Sequence, residues 1–312
     1  MIIDLPDTTA SQVSKTLVRI REEAGAVALG RVLTLIITSE IGEEEDVIVA
    51  ANEASREHPM RIIVVSTDAA ASTARLDAEI RVGGDAGASE VIVLRAHGDT
   101  ATDLRGLVTG LLLPDAPVVS WWPGECPDAV CDTPLGRLAQ RRITDAGSSR
   151  DPQRALHRIA AGYRPGDTDF AWTRVTLWRA QLAAALDQPP YEPITRVEIA
   201  GAADSPSTSL LAAWLGLRLQ VEVDVELVDP ALTKGILRVV LHRATGPIRL
   251  ERSRPDVVTL EQPGQPTHEL SLPRRGLREC LAEELRRLDP DDEFGAVLAS
   301  GFGSESRVAD KR

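Results

Sequence analysis

The stretch "RVLTLIITSEIGEEEDVIVAANEASREHPMRIIVVS", residues 31–66, decides the fold class. Residues 31–39 are a run rich in branched apolar side chains, the composition of a buried strand. Residues 43–59 read as a helix. Glu43, Glu44, Glu45 and Asp46 crowd its first turn, where negative charge suits the dipole, and His58 with Pro59 closes it. "RIIVVS" (61–66) is a strand again. Strand, helix and strand in such quick succession are the unit of a layered α/β sheet.

The same rhythm extends in both directions. Upstream, "LPDTTASQVSKTLVRIREEAGA" (5–26) offers Asp7 or Thr8 as an N-cap, Val13, Leu17 and Ile20 at helical spacing, and Gly25 as a stop. Downstream, "RLDAEIRVGG" (75–84) alternates like a half-buried strand and "EVIVLRA" (90–96) is another, together predicting an antiparallel edge. The glycine-rich "RVGGDAGASEV" (81–91) fits no phosphate-binding spacing and reads as backbone freedom between strands. A helix from about Asp99 to Leu112 leads into the strand "APVVSWW" (116–122).

"GYRPGDTDFAW" (162–172) marks a boundary, with a Pro–Gly turn and acids that can cap the next helix. The expected division is an N-terminal α/β domain over 1–163 and a C-terminal α+β domain over 164–312. In the second, one helix carries Trp172, Val175, Leu182 and Leu186 near one face and ends at Pro189–Pro190. A short strand (195–201) precedes a helix running to about Leu219. Five alternating segments follow, at 221–228, 235–243, 247–253, 256–262 and 267–272, and predict an antiparallel meander. Helices over 275–288 and 291–301 close the chain, and 304–312 is expected to fray.

Bulk properties narrow the function classes. With 312 residues, 43% hydrophobic and 26% charged, the chain is expected to fold as two globular domains. It contains no run of about 18 apolar residues, so no membrane partner is expected. The first residues lack a signal-peptide pattern, and a cytoplasmic protein is the expectation. Three cysteines make no disulfide framework. Cys126 and Cys131 sit five apart in a loop and Cys280 falls in a helix, and no His/Cys spacing completes a zinc site, so no metal or cofactor is expected. The net charge is -12; residues 1–150 hold 23 acids against 14 bases, and the remainder 24 against 21. Neither half is basic, which argues against nucleic acid as a partner.

Two constellations stand out. Gly201, Ser205, Ser207, Thr208 and Ser209 gather where a strand hands over to a helix, and free N–H groups there can hold an anion such as a sugar phosphate. No Walker or dinucleotide fingerprint accompanies them, and an ordinary N-cap with Pro206 in the first turn explains the same residues. The second is the run from "SWWPGECP" (120–127) to "GRLAQRRITDA" (136–146), which concentrates Trp121, Trp122, Pro123, Arg137, Arg141 and Arg142. Trp and Arg dominate protein-binding hot spots. On a strand the two tryptophans face opposite sides, so one is expected in the core and the other as an exposed anchor. Two of the three arginines could instead be solvated, or paired with local acids such as Asp132 and Asp145. No nucleophile elbow is present and the five histidines are scattered, so no catalytic residue is nominated.

These stretches resemble the OpcA family, the glucose-6-phosphate dehydrogenase assembly proteins. The resemblance runs through "DLPDTT" (4–9), "EASREHPMRIIVV" (53–65), "PDAPVVSWWPGECP" (114–127), "PLGRLAQRRITDA" (134–146), "YRPGDTDFAWTRVTLWRAQLAAALDQPP" (163–190) and "LRECLAEELRRLDPD" (277–291). It implies a non-catalytic partner that binds the dehydrogenase and promotes its active oligomer, supporting NADPH supply by the oxidative pentose phosphate route. It assigns no contact residue, no oligomeric state and no redox role to the cysteines.

Overall fold

The computed structural model describes residues 1–23, 32–83 and 90–302. The glycine-rich run (84–89), the helix stop at Gly25 and the tail from 303 lie outside the described residues. The chain forms two compact units, neither of them continuous. The first takes Met1–Asp145, Gly166–Thr168 and Leu277–Pro290, and the second takes Ala146–Pro165, Asp169–Gly276 and the chain from Asp291 on.

In chain order the first unit begins with β1 (Ile2–Leu5), α1 (Ala10–Glu23), β2 (Leu33–Glu40), α2 (Glu44–Ala54), β3 (Met60–Asp68), β4 (Arg75–Arg81) and β5 (Glu90–His97). It continues with α3 (Leu104–Thr109), β6 (Val118–Trp122) and β7 (Arg141–Thr144). With β8 (Asp167–Asp169) these strands make an eight-stranded sheet in the order β1-β4-β5-β3-β2-β6-β7-β8. The pairs β5/β3, β3/β2, β2/β6 and β6/β7 are parallel. Crossover helices cover both faces of such strands, which is why 33–37, 60–66 and 90–94 are uninterrupted buried runs. The half-buried β4 pairs antiparallel with β5, as its alternation predicts, and β1 adds antiparallel outside it. Val13, Leu17 and Ile20 of α1 are all buried. The helix expected over 99–112 is instead a short 3-10 turn, Gly98–Thr102, followed by α3. The Asp103 carboxylate accepts from Gly106 N at 2.9 Å and so starts a new helix where a continuous one was expected.

The second unit holds α4 (Pro152–Gly162), α5 (Phe170–Arg174), α6 (Thr176–Leu186), β9 (Arg196–Ala202), α7 (Pro206–Leu219), β10 (Val223–Val228) and β11 (Ile236–His242). Beyond these come β12 (Ile248–Arg254), β13 (Val257–Glu261) and β14 (His268–Ser271). After β14, α8 (Leu277–Leu285) returns to the first unit, where it packs on α2, and α9 (Asp292–Gly301) belongs to the second. The single helix expected after 172 is split at Val175 into α5 and α6. The second sheet has the order β10-β9-β11-β12-β13-β14. Strands β11 to β14 form the expected meander. The segment 221–228 does not join it: β10 lies parallel to β9 on the far side, because a strand–helix–strand crossover returns the chain in the same direction.

Close approach of α7 to this sheet explains Gly201. A Cβ there would lie 2.3 Å from Thr208 Oγ1 and 2.9 Å from the Gly235 carbonyl oxygen. Gly201→Ala is therefore expected to lower stability by about 1–3 kcal/mol, measured by urea unfolding, because the helix must move off the strand to admit one methyl group.

Candidate functional site

The Trp–Arg stretch folds inward. Trp121 and Trp122 point to opposite faces of β6, yet they are 0% and 4% exposed. The expectation of one exposed anchor is corrected: β6 lies between β2 and β7, and every one of its residues is buried. Arg141 and Arg142, neighbours on β7, are buried too. Arg141 pairs with Glu284 on α8 and donates to the Asp289 carbonyl at 2.9 Å. Arg142 pairs with Asp167 on β8 and donates to the Ala139 carbonyl at 2.9 Å. Gly166, at φ +97°, passes close beside that guanidinium, where a Cβ would stand 2.8 Å from Arg142 Nη2. Arg137 is exposed on a 3-10 turn and Pro123 is half-buried, so the surface part of the stretch is the loop and not the strands.

Around β2 the sheet has a switch point. The chain runs from β2 to β3 and β5 on one side, then from β6 to β7 on the other, and doubly wound sheets take ligands in the crevice this reversal opens. Here the start of α2 is already filled by a carboxylate. Glu44 Oε2 accepts from Gly42 N and Oε1 from Arg95 Nε, both at 2.9 Å. Burial pushes the Glu44 carboxyl up, but hydrogen bonds from its own backbone N–H, Arg95 and Ser66, with the Arg95 charge, outweigh it and hold the group below its ordinary value of 4.5. With Glu43, Glu45 and Asp46 alongside, a dinucleotide phosphate would meet four acids at this helix start.

The second unit carries the opposite environment. A cavity of about 390 Å³ opens at the start of α7, bordered by Ser205 and Ser207 and by Arg174, Lys234, Arg252, Arg274 and Arg275. Asp204 is the single acid among its described lining residues, in a chain whose net charge is -12. Trp178, Ile236 and Leu272 give it an apolar side. The Arg252 guanidinium stands 5.6 Å from the Trp178 ring centre. Arg252 Nη1 and Arg274 Nη1 donate to the same Pro255 carbonyl, at 2.6 and 3.1 Å, so two like charges are held at one oxygen. Burial first, and the Arg274 charge second, push Arg252 down to about 10 against a partial offset from Asp256. It still carries its proton at neutral pH.

Of the five residues nominated for an anion pocket, two line this cavity. Ser205 caps α7 without a side-chain bond, and Ser207 donates its hydroxyl to the Ala171 carbonyl at 2.9 Å. Gly201 and Thr208 are packed against each other beneath the helix, and Ser209 donates to Gln153 Oε1 at 3.0 Å, so these three lie elsewhere. The cationic residues were not foreseen. They come from α5, from the turn before β11, from β12 and from the segment after β14, and no spacing in the sequence joins them.

Fold and sites together define a two-unit α/β protein with an acid-filled switch point and a basic cavity in its second unit. Family profiles match residues 51–161 as a glucose-6-phosphate dehydrogenase subunit N-terminal domain and residues 165–298 as the corresponding C-terminal domain. The chain belongs to the OpcA family. No curated protein matches it. Among solved structures it is similar to an oxidoreductase from Sinorhizobium meliloti, at 11% identity and a TM-score of 0.46, covering 86% of this chain and 94% of that one. It is also similar to a UDP-N-acetylglucosamine 3-dehydrogenase from Acidithiobacillus ferrooxidans, at 8% identity and a TM-score of 0.38, covering 87% and 96%. Neither likeness carries an argument about activity. Among the described residues no helix is long and apolar enough to cross a membrane.

Two outcomes test the site assignments. Arg141→Ala is expected to cost about 3–5 kcal/mol in chemical unfolding because it breaks the buried ion pair with Glu284, whereas Arg137→Ala changes stability by no more than about 0.5 kcal/mol. Glu44→Gln is expected to lower the unfolding midpoint at pH 7. A carboxyl whose folded value is depressed stabilises above its ordinary value of 4.5 and loses that contribution as pH falls through the folded value, so the gap to wild type closes in acid.

Proposed function

We propose that this chain is a non-catalytic subunit that binds glucose-6-phosphate dehydrogenase and favours its active oligomer. The observation that carries this reading is the pair of family matches, whose two domains are both described as parts of a subunit of that enzyme. The acid-filled helix start at the switch point accords with it, since a nicotinamide dinucleotide has no anion cradle there.

An activator must bind the active form more tightly than the inactive one, and a tenfold shift needs a difference of about 1.4 kcal/mol. The loop from Pro123 to Arg137 is our candidate for part of that contact, because Trp121, Trp122, Arg141 and Arg142 are committed to the interior. Arg137 supplies an exposed charge on that loop.

Titrating the protein into the dehydrogenase of the same organism, with NADPH formation and complex mass followed on the same samples, is expected to give a saturable rise in rate and a stable mixed complex. The protein alone should form no NADPH. A complex without a change in rate contradicts the activator role, and absence of any complex contradicts the partner. Arg137→Glu is expected to weaken the complex about tenfold, about 1.4 kcal/mol, with the fold intact.

A further inference from the structure

We propose that the cavity at the start of α7 is a binding site for a small phosphate monoester, such as a sugar phosphate, with the phosphoryl group held by Arg252, Arg274 and Lys234. The inference concerns this chain alone and does not depend on the dehydrogenase.

Charge distribution is the first argument. The protein as a whole is acidic, yet five bases and one acid border this one cavity. The second is the state of the bases. Arg252 donates to the carbonyls of Pro255, Leu272 and Ile236, and Arg274 to those of Lys234 and Pro255. Carbonyl oxygens position a guanidinium but do not neutralise it. Among the described residues neither arginine has a carboxylate partner within ion-pair distance, and the Lys234 ammonium makes no hydrogen bond or ion pair. Elsewhere in the same sheet, arginines do find carboxylates: Arg196 with Asp224, Arg238 with Glu226 and Arg254 with Glu269. Two guanidinium groups share one carbonyl oxygen and repel, and a dianion between them removes that cost.

The third argument is shape. A volume of about 390 Å³ falls in the range of small-molecule sites, roughly 300–1,000 Å³, and exceeds what a bare inorganic ion fills. The lining combines these cations with the apolar side chains of Trp178, Ile236 and Leu272. Such a pocket suits a ligand with a charged end and a carbon skeleton. Guanidinium groups fit a tetrahedral dianion, with Ser205 and the adjoining helix start able to add hydrogen bonds.

Isothermal titration of the purified chain at low salt tests the assignment, with glucose 6-phosphate, glycerol 3-phosphate, inorganic phosphate, citrate and glucose as probes. The expected result is saturable binding of the phosphate monoesters, weaker binding of inorganic phosphate and none of glucose. Lys234→Gln and Arg274→Gln should each weaken the monoesters at least about fivefold, while Arg254→Gln, whose side chain pairs with Glu269, should not. Lys234 is exposed and its side chain is unbonded, so that variant keeps its fold and the test stands even where Arg274→Gln unfolds. No binding of either monoester overturns the proposal. So does binding that Lys234→Gln leaves unchanged, or citrate binding in preference to both esters.

Discussion

Two adjacent arginines on one short strand govern the architecture of the first unit. Because strand neighbours face opposite sides, Arg141 and Arg142 cannot be satisfied by one carboxylate. Each draws a separate segment into the unit. Glu284 arrives on α8 from 143 residues downstream, and Asp167 arrives on β8 from 25 residues downstream. Those two segments are the ones that make the unit discontinuous. A buried guanidinium without its partner is far costlier than an apolar side chain in its place. The clamps therefore specify which distant segments must pack here, and they take both arginines away from the surface.

Electrostatics divides the two units. In the first, a carboxylate fills the helix start at the switch point, so the crevice that related topologies use for nucleotides is internally neutralised. In the second, the helix start of α7 faces a cavity bordered by cations, two of which, Arg252 and Arg274, donate to backbone carbonyl oxygens. Two helix N-termini thus lie in opposite electrostatic surroundings. One supplies its own anion, and the other is the proposed phosphate site.

The parallel centre of the first sheet was legible because strands buried on both faces are written as unbroken apolar runs, as in 33–37 and 60–66. The half-buried alternation of β4 was equally plain. Strands of three or four residues, β1 and β8, carry too few positions to show a period. The placement of 221–228 beside β9 was missed because alternation reports a strand, not its neighbour. At the candidate sites, sequence found the residue types and misjudged their setting. Arg141 and Arg142 look exposed until Glu284 and Asp167 are folded onto them. Ser205 was visible as a helix cap, while the bases around it come from four separate segments. The resemblance to the OpcA family was legible in long shared stretches, and both domains of that family match.

The proposed function places contact with the dehydrogenase on the loop around Arg137. Amide hydrogen exchange of the chain, alone and mixed with the dehydrogenase, tests it most directly. The account predicts slowed exchange in the segment 123–137, with β6 and β7 protected to the same degree in both samples. A complex that leaves 123–137 unprotected, or that exposes the amides of β6 and β7, contradicts it.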